Sequence, residues 1–306
     1  MKNPDPKLLV RIAIADAYAA AVEYVKLPRD RDTLDECLHF KRYVKHPTLD
    51  HRAGCYTDDT EMSAANVHVL LEHPAPYMRL MFADAYVRQF RHGGRRKGYS
   101  RLFQSFLELT HDGWQFLKEI RPDSVKNGAA MRAVPFGVLP TIEEVLEAAT
   151  VQASVTHDTP EGRFSARAIA LMSHFSLYEV RPLYNAAAYC LTYLPKEDRR
   201  FQQIFMEDWP GGPVTGTPAA SVAITTVHAV TTLVRREPSL MAMLERTIRW
   251  GGDTDSVAAI AWGIASPRFQ GEVLPDFMER HLERRDSRTG TSYLLDLGTR
   301  LMAKFS

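Results

Sequence analysis

Trp250-Gly251-Gly252-Asp253-Thr254-Asp255-Ser256 runs straight into the apolar stretch Val257-Ala258-Ala259-Ile260-Ala261-Trp262. Two glycines allow a tight turn, and two carboxylates and two hydroxyls then crowd the mouth of a helix whose body is alanine-rich and apolar on every side. A helix apolar all round belongs in the middle of a protein, so this stretch predicts a buried central helix with an acidic N-terminus. A second mouth of the same kind, Tyr56-Thr57-Asp58-Asp59-Thr60-Glu61, lies about two hundred residues earlier, again where a helical pattern begins.

Working outward, helix follows helix. Leu8 to Val25 reads as one buried helix, with Asp16 and Glu23 seven residues apart on a common face. A carboxylate in so apolar a helix must be paired, coordinated or turned to solvent. Asp30 to Arg52 reads as a long surface loop. In the second acidic mouth Thr57 or Asp58 is placed to cap the helix, and Asp58 with Glu61 has capping-box spacing. A cap needs one carboxylate, and three among four positions exceed that need.

Pro76 to Phe90 is helical, and Arg91-His92-Gly93-Gly94-Arg95-Arg96-Lys97-Gly98-Tyr99 follows as a flexible basic loop suited to solvent or to a phosphate-bearing ligand. Arg101–Leu117 and Ile142–Val155 are expected helices. His157, at the end of the second, is placed for a favourable charge at a helix C-terminus. Further helices are expected near Gly162–Ser176, Arg181–Tyr193, Ser221–Arg235, Ser239–Arg249, Asp253–Ala265, Pro275–Glu283 and Thr291–Lys304. No strand alternation and no fixed-period repeat appears, and Gly211–Gly216 lacks the Gly-Lys-Ser/Thr ending of a phosphate loop. The expected fold is all-α, with residues 1–306 forming one domain.

Composition narrows the function. With 306 residues, 45% hydrophobic and 25% charged, the chain can bury a large core. Its net charge of +1 gives no global attraction to nucleic acid or anionic membrane. The three cysteines are far apart and fit reduced thiols, and the N-terminus has no apolar signal-peptide core, so the expectation is a cytoplasmic protein.

Four aspartates gathered at two helix mouths would repel one another unless a cation lay between them. The available donors Thr57, Asp58, Asp59, Asp253, Asp255 and Ser256 are all oxygens, which suits magnesium, manganese or calcium rather than zinc. Four carboxylates exceed the charge of one divalent ion, so two metals are plausible on chemical grounds.

These motifs resemble a known family. Thr57-Asp58-Asp59-Thr60-Glu61-Met62, Gly251-Gly252-Asp253-Thr254-Asp255-Ser256, Asn127-Gly128-Ala129-Ala130-Met131-Arg132, Thr156-His157, Gly98-Tyr99 and the Asp16…Glu23 pair are similar, in order, to motifs of the ADP-ribosylglycohydrolases. The resemblance implies an all-α domain with two Mg²⁺ or Mn²⁺ in a cleft, hydrolysing the C1″ bond between ADP-ribose and an acceptor on a protein, nucleic acid or small molecule.

It carries over Thr57, Asp58, Asp59, Asp253, Asp255 and Ser256 as metal ligands, and Glu23, Asp58 and Asp255 as catalytic groups. It carries over Tyr99, Asn127, Gly128, Ala129, Met131 and His157 as the wall around the substrate. The partner implied is ADP-ribose or an ADP-ribosylated macromolecule, with no membrane and no stable nucleic-acid complex. Ala15, Tyr18, Ala19 and Ser100 depart from the family pattern and touch the pocket's shape, hence its acceptor. A non-catalytic member that binds ADP-ribose or a toxin partner, and a magnesium-dependent phosphohydrolase, are the alternative readings.

Overall fold

The computed structural model describes residues 1–306, and its frame is set by two helices with no exposed face. Helix α1 (Leu8–Ala19) and a later helix, Thr254–Ala265, are buried at every residue, and each packs more closely on the other than on any third element. Alanine makes this pairing possible. It is the best helix former and leaves the backbones free to approach. The chain's apolar residues close around the pair in one hydrophobic cluster.

The remaining helices follow in order. They are α2 (Arg31–Cys37), α3 (Asp58–Glu72), α4 (Arg79–His92), α5 (Arg101–Leu109), α6 (Gly113–Glu119), α7 (Gly128–Met131) and α8 (Ile142–Ala153). After them come α9 (Pro160–Tyr178), α10 (Ala186–Tyr193), α11 (Val222–Arg236), α12 (Leu240–Trp250), α13 (Thr254–Ala265), α14 (Asp276–Arg280) and α15 (Thr291–Phe305). The fold is all-α. Extended pairing is limited to two isolated bridges, Asp123 with His157 and Val214 with Gly252. No helix is long and apolar enough to cross a membrane.

Several local expectations need correction. The α-helix of α1 stops at Ala19 and tightens into a 3₁₀ turn over Ala20–Val22. Glu23 therefore leaves the helix with extended backbone, and it does not share a helical face with Asp16. The surface loop expected between Asp30 and Arg52 contains α2. Arg101–Leu117 is two helices, because Asp112 accepts from the Gln115 backbone N–H and starts a new one. Lys196–Phe205, unassigned from sequence, is a 3₁₀ helix.

Expected Pro275–Glu283 is the short α14 followed by an irregular turn, with Glu283, Arg284 and Arg285 all at positive φ. The capping box expected from Asp58 and Glu61 does not form. Thr57 caps α3, and Glu61 turns inward to Arg96 and Tyr99. A true capping box links Thr141 and Glu144 at the start of α8.

Candidate functional site

Asp16 organises the acidic mouths. It sits one turn from the end of α1, at 0% exposure. Its Oδ1 accepts from the Thr57 backbone N–H at 2.9 Å and from the Thr57 hydroxyl at 2.9 Å. Its Oδ2 accepts from the Thr60 N–H at 3.1 Å and the Thr60 hydroxyl at 2.6 Å. Two of these donors are free N–H groups at the start of α3, where an anion is favoured. One carboxylate thus clamps the first turn of α3 to α1. Sequence reading did not place Asp16 in the site, although a carboxylate in an alanine-rich helix was the signal for it.

The second mouth is positioned by backbone. Val214 donates its N–H to Gly251 O and accepts from Asp253 N, both at 3.0 Å, so the glycine-rich Gly211–Gly216 loop grips the entrance to α13. Gly252 has φ +81°, and a side chain there would fall on the Val214 backbone. Tyr24 N–H bonds Gly252 O at 2.9 Å, and the Thr254 hydroxyl bonds Ala19 O at 2.8 Å. The chain after α1 and the start of α13 are thereby joined. Asp253 Oδ2 accepts from the Tyr24 hydroxyl at 3.1 Å and from Asn127 Nδ2 at 3.2 Å, so one of its oxygens is committed to protein donors.

These constraints bring the carboxylates together. Oxygens of Glu23, Asp253 and Asp255 lie within 4.8 Å of one another. Asp58, Asp59 and Ser256 line the same cleft, whose volume is about 810 Å³. Thr57 is buried beside them, its hydroxyl within hydrogen-bond reach of Asp16 and Asp59. Burial, then mutual repulsion, pushes Asp58, Asp59 and Asp255 well above the usual carboxylate range. Burial and the charges of Asp253 and Asp16 push Glu23 up to about 8.

A group whose folded pKa lies above its unfolded value contributes stability at low pH that is lost as pH rises through the folded value. Protein stripped of divalent ions is therefore expected to lose melting temperature between about pH 5 and 8, where Glu23 must give up its proton. Thermal unfolding followed by circular dichroism checks this; a melting temperature that climbs across that window contradicts it.

The rest of the cleft is of different chemistry. Tyr99, Asn127, Gly128, Met131 and His157 line it, as do Phe103, Phe106, Lys126 and Arg132. Ala129 does not reach the wall. It is fully buried, and its carbonyl accepts from Gln152 Nε2. Asn127 supports Asp253 and also donates to the Thr226 hydroxyl, so its amide is held as a brace. Tyr99 donates its hydroxyl to Glu61 at 2.6 Å. Arg96, in the loop expected to be flexible, is instead largely withdrawn from solvent and held between Glu61 and Glu283, at 2.8 Å from each.

His157 carries no helix-end charge. Burial, together with the positive charges of Arg132 and Lys126, lowers its pKa to about 3, so the ring is neutral. Its tautomer follows from its neighbours. Arg132 can only donate, and it bonds the Thr156 hydroxyl at 2.7 Å. The hydroxyl's only other partner is His157 Nδ1, 2.6 Å away, so its one proton is satisfied only by pointing there. Nδ1 is the acceptor and Nε2 carries the proton. Gly128 packs on this edge of the ring, since a Cβ there would sit 2.9 Å from Nε2. Long-range ¹H–¹⁵N spectra are expected to show the Nε2–H form without titration down to about pH 4, and Thr156→Val is expected to release that preference. An Nδ1–H form, or titration near the ordinary histidine value, would refute this assignment.

The donor set fits hard divalent cations. It consists of oxygens alone, it gathers more negative charge than the surroundings neutralise, and Asp59 Oδ1 is buried without a hydrogen-bond partner.

Comparison with known proteins bears on the chain as a whole. A family model described as ADP-ribosylglycohydrolase matches residues 9–305. A solved structure described as an "ADP-ribosylglycohydrolase-related protein complex" superposes with a TM-score of 0.72 at 20% identity, covering 98% of this chain and 97% of that one. At that identity the likeness speaks for the fold. No curated protein is matched by the chain. The chain belongs to the ADP-ribosylglycohydrolase family, whose members are metal-dependent hydrolases acting on ADP-ribosylated substrates.

Proposed function

We propose that this chain, as a member of that family, is a divalent-metal-dependent hydrolase that cleaves the C1″ glycosidic bond between ADP-ribose and an acceptor. The observation that carries the reading is the meeting of two helix mouths. The Glu23, Asp253 and Asp255 oxygens gather beside Asp58 and the unpartnered Asp59 Oδ1, at one end of a cleft that also holds aromatic rings and cationic or N–H donors. Carboxylates and cations suit the diol end of a ribose; Lys126 and the Nε2–H of His157 suit a diphosphate. The Phe103 and Phe106 rings, 6.0 Å apart and nearly parallel, suit a flat base.

Thr57, Asp58, Asp59, Asp253, Asp255 and Ser256 are the residues that would hold two Mg²⁺ or Mn²⁺. When bound, such ions neutralise the carboxylates, orient a vicinal diol and acidify a water. The protein's own share is positional and acid–base. Asp253 is fixed by Tyr24 and Asn127 with one oxygen left over, and Asp16 holds Thr57 and Asp59 at their mouth through α3. Glu23 leaves the helix by its extended backbone and faces the cluster. Its place beside Asp253 and Asp255 suits it to exchange a proton with the reacting bond; Asp58 and Asp255 are the other candidates for that role. A cytoplasmic setting accords with three unpaired cysteines.

The test is product analysis by mass spectrometry on arginine-, serine- and nucleobase-linked ADP-ribosyl substrates. Release of intact ADP-ribose from one linkage supports the reading and names the acceptor. Release of phosphate or AMP in its place would assign a phosphohydrolase.

A further inference from the structure

A second cavity, of about 720 Å³, lies on the other side of the rim that bounds the acidic cleft. The rim is made of two segments. Thr48 and Leu49 face the cleft while Asp50, His51 and Arg52 face the second cavity; Gly98 and Tyr99 face the cleft while Arg95, Arg96 and Lys97 face the second cavity. Seven basic residues against three acidic ones line this second space, in a chain whose net charge is only +1.

Its charges are not all spent within the protein. Arg96 is neutralised by Glu61 and Glu283, and its guanidinium lies 3.9 Å over the Tyr56 ring, so it forms the floor. Arg288 pairs with Asp286. Arg52, Arg95, Lys97, Arg284 and Arg285 are exposed and have no ion-pair partner. The backbone supports this concentration at a cost. Arg95 has φ +58°, and Glu283, Arg284 and Arg285 have φ of +50°, +53° and +67° in succession. Left-handed backbone is unfavourable for each such residue. The turn is pinned by Glu283, whose carboxylate accepts from Tyr56 N–H, Arg96 and the Thr289 hydroxyl.

We infer that this cavity is a second binding site, separate from the acidic cleft, for a ligand bearing several phosphate groups. Guanidinium groups recognise phosphate oxygens bidentately, and unpaired like charges lining one cavity are relieved by a polyanion. The shared chemistry is the phosphate; a free polyphosphate or nucleotide and a nucleic-acid backbone are its two sources.

The experiment is calorimetric titration of the full chain, stripped of divalent ions, with inorganic tripolyphosphate, a single-stranded deoxythymidine oligomer and a glutamate-rich peptide. Asparagine tolerates positive φ, so the double variant Arg95→Asn/Arg284→Asn removes two charges without opposing the turn. Saturable binding of tripolyphosphate that weakens at least ten-fold in the double variant and persists in Asp253→Asn is expected. Tighter binding of the oligomer with the same dependence identifies the nucleic-acid backbone as the source, and tighter tripolyphosphate binding identifies the small ligand. Absence of phosphate binding, binding indifferent to the double variant, loss on Asp253→Asn, or preference for the acidic peptide would overturn the inference. None of these results depends on whether the cleft hydrolyses ADP-ribosyl substrates, so the two readings fail separately.

Discussion

Asp253→Ala is expected to abolish release of ADP-ribose while leaving the fold largely in place. The lost carboxylate belongs to the carboxylate cluster of the cleft, its oxygen within 4.8 Å of those of Glu23 and Asp255. Removing an outer partner of a metal ligand already costs about 10–100-fold in affinity or activity, and losing a ligand itself is expected to cost more. The fold survives because Asp253 is held by backbone as well as by its side chain. Its N–H bonds Val214 O, and alanine keeps that bond. Alanine relieves repulsion but leaves the Tyr24 hydroxyl and the Asn127 amide without their shared acceptor, so the two effects oppose and metal-free Asp253→Ala is expected to melt close to the parent. The check pairs a steady-state assay with calorimetric titration of Mn²⁺. Unchanged metal affinity in the variant would remove Asp253 from the site.

Asp16→Ala is expected to do the reverse, with its main effect on stability. The carboxylate satisfies four buried donors, two from Thr57 and two from Thr60. Each buried donor left without an acceptor costs about 1–3 kcal/mol. Partial rescue between the hydroxyls and neighbouring acceptors brings the expected total to about 3–5 kcal/mol. Activity should fall as well, because α3 loses the clamp that sets Asp58 and Asp59. Denaturant unfolding measures the first effect. A loss below about 1 kcal/mol would show that α3 is held by its apolar face alone.

Much of this arrangement was legible in the chain. The apolar run after Ser256 marked α13 as central because nothing in it faces water, and the excess of carboxylates at Thr57–Glu61 marked a mouth that capping does not explain. The misreadings share one cause. Sequence periodicity shows which positions are apolar, but not which polar groups find each other across a fold. Glu61 has capping-box spacing, yet Arg96, thirty-five residues on, offers it a charged partner in the interior. Glu23 falls on the helical period of Asp16, yet the helix has already tightened and ended before it. His157 sits where a charged histidine is favoured, and burial, with the Arg132 and Lys126 charges beside it, keeps it neutral. Ala129 fits the motif but reaches only the layer behind the wall.

The most direct test of the central claim is an add-back experiment on whichever ADP-ribosyl linkage the protein cleaves. ADP-ribose release is measured in the parent and in Asp253→Ala, first after removal of divalent ions by chelator and then with Mg²⁺ or Mn²⁺ restored. The account predicts that chelation stops release, that restored metal recovers it in the parent, and that the variant stays inactive throughout. Release that continues at full rate under chelator, or equally in Asp253→Ala, would contradict it.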